Sequence, residues 1–306
     1  MNYLYVLKYN IEEAGMCAME MRRVFHQDST KKYFITEQKE DVTRSLFTKS
    51  RLDILLETDD FQELLEKIEA QKYDYQNYKT IYVQVEGYEK TYEERCVLNR
   101  EVGCMIELPC AMSDPDIWLG YTEIEGKWYF GELHKNTQDW HKHDDMPYHF
   151  STALPMRQAR TVVNIAVGDD PSKRLVDPCC GIGTVLLEAC GLGFKIDGFD
   201  IHYPVKEGAR KNVEYYRYDA VVKRMDMRDI TEHYDTAIID IPYGLYTAIE
   251  EKEQQEILDH ARHICDELVL VSNRDMCVEM EKAGFEVVDQ TTVTKARFVR
   301  YIMIGK

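Results

Sequence analysis

The chain has 306 residues, room for about two domains at roughly 150 residues each. With 44% hydrophobic and 30% charged residues it holds enough apolar material for packed cores, which excludes wholesale disorder. The formal net charge is −17, and both halves are acidic: residues 1–150 carry 18 basic and 29 acidic side chains, residues 151–306 carry 20 and 26. A nucleic-acid partner would therefore need a local positive patch on an acidic body, because net charge governs solubility and long-range steering only. No uncharged apolar run approaches the ~18 residues of a membrane span, and residues 1–8 lack the layout of a secretory signal. The nine cysteines, an odd count without a C-x-x-C pair, read as reduced thiols of a cytoplasmic protein.

In chain order, the first part reads as mixed α and β. Residues 3–9 alternate as a strand, 11–25 have helical spacing and 32–36 suit a short strand. Residues 60–69 space Phe61, Leu64, Leu65 and Ile68 as a helix, whereas 78–86 alternate Ile81, Val83 and Val85 as a strand. A helix over 92–102 follows, then strands at 118–122 and 127–133 joined by the Glu125-Gly126 turn. A polar stretch rich in Asp and His runs from Asp139 to Pro147, and regular alternation resumes only after it. The reading thus divides the chain into an N-terminal α+β region, 1–146, and a second domain, 147–306.

In that second domain strands alternate with helices, the signature of a parallel α/β sheet. A helix over 154–167 leads in. Strands are expected at 174–177, 195–200, 221–225, 236–240, 268–272, 286–293 and 297–304, with helices at 185–190, 205–216 and 252–264. The last two strands are closely joined, so the final one is expected to return antiparallel.

The strongest local signal is Asp177-Pro178-Cys179-Cys180-Gly181-Ile182-Gly183-Thr184, where a strand ends in an acid, a glycine-containing turn follows and a helix starts. Glycines let the backbone bend sharply and approach a ligand without a Cβ clash. At the carboxyl end of a sheet strand, such a turn is where doubly wound folds bind nucleotides. Leu186 stands where a dinucleotide fingerprint has its third glycine, and no Gly-Lys-Ser/Thr ending follows, so neither that fingerprint nor a P-loop applies. Alone, the motif reads equally well as an ordinary strand-to-helix turn.

Three more strand tips carry acids. Asp200 ends the second strand, where a carboxylate suits the two hydroxyls of a ribose. Asp226 follows the third and can accept from an adenine amino group. A lone Asp is more often a cap or turn former, but three at successive tips point to a nucleoside site. The fourth strand ends Asp240-Ile241-Pro242-Tyr243. The Asp240 carboxylate and a backbone carbonyl held by Pro242 can accept both hydrogens of an exocyclic amine, localising its lone pair, while Tyr243 stacks on the ring.

These residues resemble the S-adenosylmethionine-dependent methyltransferases that modify exocyclic amino groups. Their pattern is D-P-x-x-G-x-G, an acid after the second strand, then D/N-P-P-Y; this chain has D-P-C-C-G-I-G, G-F-D and D-I-P-Y, with Ile241 in place of the first proline. Pro147-Tyr148-His149 followed by Ala153-Leu154-Pro155-Met156-Arg157-Gln158-Ala159-Arg160 is similar to the lead-in of the THUMP-domain tRNA guanosine N2-methyltransferases, the type acting at tRNA position 10. Residues 78–130 resemble a reduced THUMP domain, an RNA-binding module. The resemblance implies an α/β fold, a Rossmann-like seven-stranded methyltransferase sheet with a smaller N-terminal α+β region that is ferredoxin-like or THUMP-like. It implies S-adenosylmethionine as cofactor, with Asp177, Gly181 and Gly183 forming its turn, Asp200 on the ribose and Asp226 on the adenine. Asp240, Pro242 and Tyr243 would present the target base, N2 of a guanosine in tRNA or another structured RNA. Adenine N6 methylation on RNA or DNA, and a non-catalytic homologue, stay open as alternatives.

Other candidates weigh less. Cys179 follows Pro178 as a Pro-Cys nucleophile would, but it sits in the turn rather than on the fourth strand, so Cys179 and Cys180 read as small packed residues. His134, His141, His143 and His149 lack the tight spacing of a structural metal site, and no metal is expected. Arg157 and Arg160 are the cations expected beside the site; Lys206, Arg210, Lys211 and Arg217 read as a solvated helix face.

Overall fold

The computed structural model describes residues 1–306 apart from 29, 112, 152, 242–249 and 296–297; for 203–206, 295 and 298 it describes the backbone alone. The chain forms two units. Met1–Lys8 and Ser29–Thr137 make the first, Tyr9–Asp28 and Gln138–Lys306 the second.

The first unit is a six-stranded sheet of β1 (Tyr3–Leu7), β2 (Tyr33–Thr36), β3 (Thr48–Thr58), β4 (Tyr78–Tyr82), β5 (Ile117–Ile124) and β6 (Lys127–Lys135). The order is β2-β1-β3-β6-β5-β4. All pairings are antiparallel except β4 with β5. The 11-residue β3, central in the sheet, is absent from the sequence reading. Its alternation is masked by Arg51 and Asp53, which side by side would signal a solvated loop; here both are buried and bond each other at 2.5 Å. Two helices pack on this sheet, whereas α1 (Ala14–Phe25) belongs to the second unit. In α2 (Phe61–Glu69), Asp60 caps the amide N–H groups of Gln62 and Glu63 at 2.8 and 3.0 Å. In α3 (Tyr92–Cys104), Thr91 and Glu94 form a reciprocal capping box. Leu64, Ile68 and Val102 of these helices pack with Tyr82, Leu119 and Phe130 of the sheet. The opposite sheet face buries Leu4, Val6, Leu52, Val83 and Leu133.

The second unit begins with α1 (Ala14–Phe25), which the sequence reading kept with residues 1–146. Its side chains explain the difference. Arg22 forks onto Asp289 at 3.0 and 2.8 Å, Arg23 pairs with Glu267 at 2.6 Å, and buried Glu20 accepts from Asn164 at 2.6 Å. Then come α4 (Met156–Val167), β7 (Leu175–Asp177), α5 (Thr184–Gly191), β8 (Ile196–Asp200), α6 (Tyr203–Tyr215), β9 (Val221–Arg224) and β10 (Tyr234–Asp240). The unit ends with α7 (Glu251–Ile264), β11 (Cys265–Ser272), α8 (Cys277–Lys282), β12 (Val287–Lys295) and β13 (Phe298–Gly305). The sheet order is β12-β13-β11-β10-β7-β8-β9. Strands β7 to β11 run parallel and β13 returns antiparallel, the seven-stranded Rossmann-like arrangement expected from the sequence. The chain winds outward from β7 to β9, then crosses back to β10 on the other side of β7. That reversal makes the carboxyl ends of β7 and β10 a switch point, where such sheets bind ligands. Among the described residues no helix is long and apolar enough to cross a membrane.

Candidate active site

The turn after β7 is built by its own backbone. Gly181 (φ 55°) and Gly183 (φ 85°) both occupy the left-handed region, where a Cβ would strain the chain. Asp177 accepts from the amide of Cys179 at 3.1 Å, closing the first bend. The Cys180 amide donates to Phe199 O at 2.9 Å, which ties the turn to β8. Leu186 of α5 sits over Gly198 of β8, where a Cβ would come within 2.5 Å of its Cδ1. The close helix-to-strand approach that a dinucleotide fingerprint obtains from its third glycine is obtained here from a glycine on the neighbouring strand.

Because β7 to β10 are parallel, Asp177, Asp200, Asp226 and Asp240 stand at or just past the carboxyl ends of four adjacent strands. Asp200 is buried, and its two oxygens accept from the amides of Gly181 (3.0 Å) and His202 (2.7 Å). One lone pair on each oxygen is left for a further donor. Asp226 caps the short helical turn Met227–Asp229 and receives Arg228, whose guanidinium holds its carboxyl below the usual range. It is thus both cap and strand-tip acid. Asp240 ends β10, and the following amide, that of Ile241, donates to Val271 O at 3.0 Å. A proline there could not make that bond, and the Ile241 side chain is part of the apolar core. Pro242 and Tyr243 lie outside the described residues.

The four carboxylates share one field. Burial, followed by the charges of Asp200 and Asp240, pushes the Asp177 carboxyl well above the usual carboxylate range. Burial also pushes the Cys179 thiol up, and Asp177, Asp200, Asp226 and Asp240 add to it. Cys180 is raised for the same reasons. These thiols stay protonated and are poor nucleophiles, as their reading as packed residues requires.

The two arginines expected beside the site are both committed to carboxylates. Arg160 is 1% exposed and cannot meet a nucleic acid; it bonds Glu188 and Asp139, each at 3.1 Å. Arg157 forks onto Glu13 at 3.0 Å. His143 is fully buried between Glu188 (2.7 Å) and the Tyr218 hydroxyl (2.8 Å), so it belongs to a polar network under α5. Arg210 lies between Glu207 and Glu214, and Lys211 donates to the Tyr148 hydroxyl, as a solvated helix face would. Asp53, Glu132 and His134 of the first unit bring ligand atoms within 4.8 Å of one another. Arg51 and Lys39 already bind Asp53, and the Tyr75 hydroxyl donates to Glu132, so the charge an ion would supply is present.

Two contributors escaped the sequence reading. Asn212, buried on α6, donates to Ile182 O and Tyr148 O at 3.0 Å and accepts from the Tyr148 amide, joining the turn to the lead-in segment. Nothing in its surroundings in the sequence marks it. Ile201, directly after Asp200, is 49% exposed and offers an apolar surface beside that carboxylate.

Comparison with known proteins agrees with this architecture. The crystal structure of TrmN from Thermus thermophilus shares the fold, with a TM-score of 0.50 at 14% identity over 100% of this chain and 99% of that one. A tRNA (guanine(10)-N2)-dimethyltransferase of Methanothermobacter thermautotrophicus is 36% identical over 122 residues, 38% of this chain and 36% of that protein. A protein of the same name from Pyrococcus abyssi is 34% identical over 141 residues, 44% of this chain and 39% of its own length. The chain thus matches less than half the length of these two relatives. The model of the family described as RMKL-like, methyltransferase domain, matches residues 143–298, which is half of the chain: the protein belongs to that family.

Proposed function

We propose that this chain transfers a methyl group from S-adenosylmethionine to an exocyclic base amine, N2 of a guanosine in tRNA. The observation that carries the reading is the adjacency of Asp240, at the tip of β10, to the glycine turn after β7, across the point where the sheet reverses direction. When bound, the cofactor supplies the electrophilic methyl; the chain supplies position and hydrogen bonds. The donor set fits such a group. Asp200, oriented by two amides, retains one lone pair per oxygen for the two ribose hydroxyls. Ile201, exposed directly after Asp200, would offer an adenine ring an apolar surface, and Asp226 keeps acceptor capacity for its amino group after bonding Arg228. Gly181 and Gly183 give the turn beside the cofactor its left-handed bend, Gly183 packing closely on Ala209.

Asp240 accepts a hydrogen from the target amine, with Pro242 and Tyr243 as its partners in the motif. Holding that hydrogen draws the amine lone pair out of the ring and toward the methyl. The proton released on transfer goes to Asp240 or to water. The activity for which the two relatives are named supports guanosine N2 and tRNA as the acceptor.

The test is calorimetric titration of the full chain with S-adenosylmethionine and S-adenosylhomocysteine, then methyl transfer to tRNA transcripts read by nucleoside mass spectrometry. Micromolar binding and N2-methylguanosine are expected; N6-methyladenosine would move the target, and no binding of either compound would refute the site. Asp240→Ala should lower transfer at least 100-fold with cofactor affinity within about twofold of the parent. Lost cofactor affinity in a folded variant would remove the assigned role.

A further inference from the structure

One end of the first unit's sheet gathers four lysines, with Asp116 just before β5 at the same end, on a protein of net charge −17. The pairing directions bring five strand ends to a single edge: the carboxyl ends of β1 and β6 and the amino ends of β3, β4 and β5. That edge carries Lys8, Lys49, Lys135 and Lys79. The Lys8 amide donates to Phe47 O at 2.7 Å, the Asn136 amide to Lys49 O at 3.1 Å, and Lys135 pairs in register with Ser50. With strands about 4.8 Å apart, the row spans roughly 19 Å, enough for several phosphates of one strand.

The side chains are gathered rather than dispersed. Lys135 Nζ lies 3.0 Å, and Lys79 Nζ 5.5 Å, from the centre of the half-buried Trp118 ring, so one ring holds two ammonium groups. Burial and the neighbouring Lys79 push the Lys135 ammonium down. Burial and Lys8 do the same to Lys49, with Glu89 acting in the opposite sense. Six other lysines of this unit are paired with carboxylates: Lys31 with Glu125, Lys32 with Glu86, Lys39 with Asp53, Lys67 with Glu63, Lys90 with Glu123 and Lys127 with Glu57. Among the described residues Lys8, Lys49 and Lys135 make no ion pair. Like charges held together in this way are relieved by an external polyanion.

We propose that the Lys8, Lys49, Lys79 and Lys135 edge is where the phosphodiester backbone of the RNA substrate lies. The inference rests on the reading of the substrate as tRNA. Lysines are point charges, and the Trp118 ring is already occupied, so the contact grips and positions RNA without reading its bases.

The test measures binding of an unmodified tRNA transcript to the full chain by fluorescence anisotropy, between about 50 and 200 mM salt, for the parent and for K8Q/K49Q/K79Q/K135Q. Each phosphate contact contributes about 0.7–0.9 to the slope of log K against log salt. The fourfold variant should lose about three units of that slope and at least tenfold in affinity, with affinity for S-adenosylmethionine unchanged as the check on folding. A K31Q/K67Q/K127Q variant, which removes neutralised lysines, should keep the parent slope. The proposal is overturned if the fourfold variant binds within twofold of the parent at unchanged slope. It is equally overturned if the parent binds the cofactor but no tRNA, or binds phosphatidylserine vesicles in place of tRNA. Salt-dependent tRNA binding that vanishes in the variant, without methyl transfer by the parent, would sink the catalytic reading and leave this one standing.

Discussion

Replacing Glu188 by alanine removes the anion at the centre of the network under α5. Glu188 is fully buried on the helix that starts at the glycine turn, with one oxygen 3.1 Å from Arg160 and the other 2.7 Å from His143. A neutral imidazole satisfies the network if Nδ1 donates to Glu188 while Nε2 accepts from the Tyr218 hydroxyl. Deleting one member of a buried ion pair costs about 3–5 kcal/mol, since the other charge stays in a dry site. Arg160 would retain Asp139 at 3.1 Å, so the lower end, about 3 kcal/mol, is the expected loss. For a unit of this size that corresponds to a fall in Tm of about 6–12 °C, read by differential scanning calorimetry on the full chain. Arg160→Met combined with Glu188→Leu removes both charges and should recover the part of the loss due to the orphaned guanidinium, the remainder belonging to His143 Nδ1, which also loses Glu188. A Glu188→Ala variant losing less than about 1 kcal/mol, or a double variant as unstable as the single one, would refute the network's assigned role.

Asp200→Ala should weaken S-adenosylmethionine binding about 10- to 100-fold by calorimetry, the worth of one or two hydrogen bonds to a charged acceptor; unchanged affinity would refute the ribose assignment. Gly198→Ala drives a methyl to 2.5 Å from Leu186 and should cost about 1–3 kcal/mol in urea denaturation, partly regained by adding Leu186→Val; additive losses would refute the overpacking account. Asp177 sets a pH dependence in the cofactor-free chain. Its folded carboxyl is raised above the unfolded value of about 3.9, so its contribution is full below that pH and is lost as pH rises toward the raised value. Asp177→Asn does not titrate, and should therefore gain stability relative to the parent as pH rises above about 4; a pH-independent difference would contradict the burial argument.

The second sheet was legible because three of its parallel strands, β7, β8 and β10, end in an acid, and Asp177, Asp200 and Asp240 punctuate the strands they terminate. The turn was legible from Gly181 and Gly183, which need left-handed backbone. Strand β3 was not, because Arg51 and Asp53 neutralise each other inside the fold and only the fold reveals the pairing. The same reason hid Arg160: an arginine reads as a surface cation until its partners 28 and 21 residues away are known. Asn212 was invisible for another reason, since its role lies in three backbone groups that any sequence could supply.

The discontinuous second unit has a consequence for synthesis. Arg22 on α1 and its partner Asp289 on β12 are 267 residues apart. At about 5–20 residues per second, a ribosome delivers the second of them roughly 13–50 s after the first. Until then the buried face of α1, with Met16, Met19 and Val24, has no β12 to pack against. A fragment beginning at Gln138, the place where a contiguous domain would be cut, would leave Asp289, Glu267 and Asn164 without the helix that satisfies them.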